Sequence, residues 1–96
     1  MHTDNELQVL ATKFQGITQL SLRKCALLVG LSAPAFSDWV NGGVNEARTP
    51  QGQEAERRLR LVLAYEAATG GVRAANKDPA PRRFDMIMGV IEGAVT

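Results

Sequence analysis

The stretch Leu22 to Asn41, LRKCALLVGLSAPAFSDWVN, constrains the fold more than any other part of the chain. Leu22, Cys25, Ala26 and Val29 recur at helical spacing and mark one apolar face. Gly30 follows directly, and a chain leaving a helix there turns through positive φ, which glycine adopts without strain. Leu31 plugs the corner. Ser32 suits an N-cap, and Pro34 falls in the first turn of the next helix, where its missing N–H is harmless. That second helix runs from Ala33 to about Asn41 and ends at Gly42-Gly43. Ala35, Phe36, Trp39 and Val40 face inward. Ala33, Ser37, Asp38 and Asn41 face outward as a small, polar surface.

Taken together, Ala26, then Gly30-Leu31-Ser32, then Phe36, Ser37 and Trp39 resemble the helix-turn-helix of the lambda-repressor-like (Xre/Cro) family. In that family a small residue lets the two helices touch, a glycine makes the turn, and the second helix enters the DNA major groove. The resemblance implies an all-α fold: a lambda-repressor-like bundle of about four helices plus a C-terminal apolar helix. It implies base reading by Ala33, Pro34, Ser37, Asp38 and Asn41. It also implies DNA-backbone contacts from Gln19, Arg23, Lys24, Ser32, Asn45 and Arg48. Relatives usually carry Arg, Lys, Gln or Asn on the reading face, because these make paired hydrogen bonds to purine edges. Here Asp38 accepts from a cytosine amino group but repels phosphates, and Ser37 discriminates little. Modest affinity per subunit, compensated by a dimer or by readout of DNA shape, is therefore expected.

The flanking segments read as follows. Thr3 with Glu6 forms a capping box for a first helix over Thr3 to Phe14, with Leu7, Leu10, Ala11 and Phe14 as its stripe and Gly16 as its stop. Residues 41–48 form a loop rich in Asn and Gly. Thr49 caps the longest helix, Pro50 opens it, and Gly70-Gly71 ends it after about Ala68. Ala55, Leu59, Val62, Leu63 and Tyr65 form its apolar side. Glu54 with Arg58 and Glu56 with Arg60 are i,i+4 pairs worth about 0.3 kcal/mol each. The Arg57 to Arg60 run is thus a paired, solvated face more than a DNA stripe.

Three regions result: a helix-turn-helix domain over 1–70, a linker over 71–83, and a C-terminal oligomerisation or packing segment over 84–96. Pro79, Pro81 and the glycines speak against a helix across the linker. Arg82-Arg83 reads as a solubilising linker end, with a mobile phosphate-gripping arm as the alternative. Phe84, Ile87, Met88, Ile91 and Val95 share one helical face, assigned here to dimerisation. Closure of the chain's own core, docking on a different protein and a strand paired across a dimer are the alternatives. Gly89 and Gly93, four apart, would let a partner backbone come close.

Composition narrows the function classes. A 96-residue chain of net charge +1 with 45% hydrophobic residues can form one small core, but it lacks the basic excess of a non-specific nucleic-acid coat. One His (His2) and one Cys (Cys25) cannot build a Cys/His zinc site, and Cys25 reads as a buried small hydrophobe. No phosphate loop and no nucleophile–base pair is evident, so neither catalysis nor a cofactor is expected. No apolar run reaches the ~18 residues of a membrane span, and no basic, apolar leader opens the chain. The expected location is the bacterial cytoplasm or nucleoid. The expected function is that of a sequence-specific DNA-binding transcriptional regulator. It would be a repressor of phage or mobile-element type, acting as a homodimer on double-stranded DNA. The alternative is a protein-interaction module on the same scaffold, such as an antitoxin or a transposition or excision accessory protein.

Overall fold

The computed structural model describes residues 4–44 and 46–93, and all regular structure among them is helical. The order is α1 (Asp4–Thr18), α2 (Leu22–Val29), α3 (Ala33–Val40), α4 (Pro50–Thr69), α5 (Gly71–Ala74), a 3-10 turn (Ala75–Lys77) and α6 (Ala80–Gly93). Of the capping box expected at the first helix, Thr3 lies outside the described residues.

α1 does not stop at Gly16. It continues to Thr18, and the chain leaves the right-handed region only at Gln19, with φ 53°. Tertiary packing overrides the glycine: Ile17 and Thr18 are both buried. The Thr18 hydroxyl meets Cys25 Sγ at 3.7 Å and the Leu20 amide at 3.4 Å. Burial pushes the Cys25 thiol pKa up, as befits a packed hydrophobe.

α2 and α3 follow their local signals. Ser21 accepts from the Lys24 amide, and Gly30 closes α2 with φ 84°. The amides of Gly30 and Leu31 both donate to the Ala26 carbonyl, at 2.8 and 3.0 Å. Ser32 then accepts from the Ala35 amide at 3.2 Å and opens α3. Ala35, Phe36 and Trp39 are buried, and Phe36 meets Phe14 of α1 edge-on at 6.4 Å.

α4 packs against α1, α2 and α6. Thr49 caps it and Gly70, with φ 68°, ends it. Its buried line is Gly52, Ala55, Leu59 and Val62. Tyr65, expected on that line, is 37% exposed, because it falls on the flank between α4 and solvent.

The segment expected as a linker is helical instead. Residues 71–77 wind as α5 and the 3-10 turn, and Val72 is buried. The prolines do not break α6: Pro79 precedes it and Pro81 falls in its first turn, where no intrahelical N–H bond is lost. The apolar tail face turns inward. Ile87 and Ile91 are 1% and 2% exposed within the single chain, and Phe84 and Met88 pack partly against the same core. Two of the residues assigned to dimerisation therefore have no surface left for a second copy, and Val95 lies outside the described residues. The radius of gyration, 12.4 Å, agrees with the roughly 12.5 Å of one compact body of this length, so α6 is part of the bundle. No helix among the described residues is long and apolar enough to cross a membrane.

Candidate functional site

The outer side of α3, the start of α2 and the loop after α3 carry the residues singled out from sequence. Pro34 and Asn41 are exposed, and Ala33 and Ser37 are half-buried. Ser37 Oγ accepts from Asn41 Nδ2 at 3.5 Å, a long bond that leaves both groups open to a stronger partner.

Asp38 departs from the expected outward pose. Its carboxylate lies against the backbone of Gly43, where a Cβ would overlap it, and the Gly43 amide donates to the Asp38 carbonyl at 2.8 Å. The side chain therefore follows the loop rather than projecting beside Pro34. This draws negative charge toward the loop.

The cations fall into two groups. Arg23 and Arg48 are exposed and form no ion pair among the described residues. Lys24 is half-buried, with its ammonium 5.7 Å from the centre of the Phe84 ring. Gln19 is exposed in its left-handed conformation. Ser32 uses its hydroxyl as the α3 cap. Asn45 lies outside the described residues.

Arg57, Arg58, Arg60 and Arg83 are structural. Arg57 donates Nε and Nη2 to Glu54 at 2.8 and 2.6 Å, and Arg58 donates Nε to the same carboxylate at 2.9 Å. Arg60 bridges Glu56 and, from α4 to α1, Glu6. Arg58 also donates Nη1 to the Leu28 carbonyl at 2.9 Å, and Gln51 donates to the Gly30 carbonyl. α4 thereby caps the exposed C-terminal end of α2 and secures the turn that presents α3. Arg83, expected as a linker end or phosphate arm, donates to the carbonyls of Thr18, Gln19 and Asp78. It closes the corner between α1 and α2. The Glu54–Arg58 and Glu56–Arg60 pairs were legible from their i,i+4 spacing, but sequence reading missed the long-range clasps of Gln51, Arg58, Arg60 and Arg83.

Hydrogen bonds from Arg57, then Arg58, hold the Glu54 carboxyl at about 2, below its ordinary 4.5. A depressed folded-state value means that the contact contributes above about pH 4.5 and is lost as pH falls toward 2. Glu54 is 42% exposed, so solvent screens the pair and the effect is small. Urea melts of Glu54→Gln are expected to show a shallower stability loss than wild type between pH 4.5 and 2. Equal slopes would exclude this source of acid sensitivity.

These features define an all-helical protein with a short, capped helix held at its surface by clasps from α4. No protein-family model matches the chain, and no curated protein or solved structure matches it either.

Proposed function

We propose that this chain is a sequence-specific DNA-binding transcriptional regulator, a helix-turn-helix protein of the lambda-repressor-like kind that acts as a homodimer. The supporting observation is the division of the arginines. Those on α4 and Arg83 are tied into intrachain contacts, whereas Arg23, at the start of α2, Arg48, in the loop after α3, and Arg82, away from α3, are exposed and form no ion pair among the described residues. In this reading Arg23 and Arg48, placed on either side of α3, hold phosphates there. Pro34, Ser37 and Asn41 meet the base edges, with Ala33 against a thymine methyl. Asp38, drawn onto Gly43, holds the loop and reads no base. Regulation follows from occupancy of a promoter and needs no chemistry.

Arg48→Ala is expected to weaken binding to operator and unrelated duplex alike. It should also lower the slope of log affinity against log salt by about one per protomer. Titration of labelled DNA from upstream of the gene, at several salt concentrations, checks this. Loss of preference at a single base pair, with an unchanged slope, would rule out the backbone role.

A further inference from the structure

We infer that the solvent face of α6, with the apolar groove beside it, packs in antiparallel alignment against the same face of a second copy. The inference takes up the two-copy arrangement proposed above but needs no DNA.

The inward face of α6 is already committed through Ile87 and Ile91. Its outward face carries Arg82, Asp85, Gly89 and Glu92, all exposed, at the 3-4-3 spacing by which one helix meets another along a seam. A parallel pair would set Arg82 against Arg82, Asp85 against Asp85 and Glu92 against Glu92. An antiparallel pair sets Arg82 against the second copy's Glu92, twice by symmetry, and each Asp85 against a Gly89. The charge order of this one helix is therefore complementary to itself in one direction only.

The same three charged groups form no ion pair among the described residues, whereas Arg57, Arg58 and Arg60 of α4 are each paired. Alongside the seam runs a groove lined by Leu61, Ala64, Tyr65, Gly89, Val90 and Gly93, none of them charged. Tyr65 is 37% exposed there, and a Cβ at Gly89 would meet nothing within 4 Å. A second helix can thus approach closely at Gly89 and cover Val90 and Tyr65.

Sedimentation equilibrium of the full chain without DNA tests this. The wild type is expected to dimerise. Gly89→Arg should raise the dimer dissociation constant at least ~10-fold without lowering the thermal midpoint of the dilute protein. Arg82→Glu should weaken dimerisation about three- to tenfold, and adding Glu92→Arg should restore it. Three results would overturn the assignment. These are a wild type that stays monomeric, a dimer indifferent to Gly89→Arg, and a double reversal no better than the single one. Because no DNA is present, these results stand apart from the test of DNA binding.

Discussion

Trp39→Ala is expected to destabilise the protein by about 3–5 kcal/mol, the usual cost of removing a fully buried large aromatic. Trp39 is 0% exposed and heads the largest fully buried side chains. A chain of 96 residues has roughly 5–14 kcal/mol in total, so the substitution removes a large share of it. Each kcal/mol lowers the thermal midpoint by roughly 4–8 °C in a domain of this size. Denaturant melts followed by circular dichroism check the outcome. Trp39→Phe, which keeps a ring in the cavity, should lose less. If Trp39→Ala melted like wild type, the indole could not be the anchor that orients α3. On the proposed DNA-binding reading, DNA affinity in the alanine variant should fall with the folded fraction, because the outer face of α3 exists only while α3 is pinned.

Gly52→Ala is expected to destabilise by about 2–3 kcal/mol, although alanine is the better helix former by about 1 kcal/mol. Gly52 lies in the first turn of α4 and is buried. A Cβ there would overlap the carbonyl of Glu46, a backbone group that no rotamer change can move aside. The same carbonyl accepts from Thr49 Oγ1 at 2.7 Å, and Thr49 Oγ1 in turn accepts from the Gly52 amide at 3.0 Å. The loop residue Glu46, itself at φ 64°, is thus seated directly on the start of α4. Gly16→Ala is the internal control. It is also helical, but a Cβ at Gly16 meets nothing within 4 Å, so that substitution should stabilise by about 0.5–1 kcal/mol. Paired denaturant melts should move in opposite directions. A stabilising Gly52→Ala would mean that the loop does not rest on α4. If the loop does shift, Arg48 shifts with it, and on the proposed function DNA binding should weaken beyond the loss of stability.

Much of the secondary structure was legible because caps and glycines act locally. Ser21, Ser32 and Thr49 each accept the amide three residues on, and Gly30 and Gly70 each end a helix at positive φ. Gly16 and the prolines misled for a complementary reason. A breaker residue states a local cost, which burial of Ile17 and Thr18 outweighs at Gly16 and which Pro79 and Pro81 escape by lying before α6 and in its first turn. On the candidate site, the exposure of Pro34 and Asn41 followed from helical period. The pose of Asp38 did not, because it depends on the backbone path of Gly43 after the helix has ended.

Spacing and end signals along the chain were enough to specify that α2, the Gly30 turn and α3 form, and which side of α3 is buried. These depend on interactions within a few residues. Only the folded bundle decided what holds that unit: Gln51 reaches back 21 residues to Gly30, Arg58 reaches 30 to Leu28, and Arg83 reaches 65 to Thr18. It also decided that Ile87 and Ile91 turn inward, leaving Arg82, Asp85, Gly89 and Glu92 outside. An apolar stripe must be covered by something, but its period does not say by what. That depends on which surface the rest of the chain leaves open at the distance the connecting residues can span.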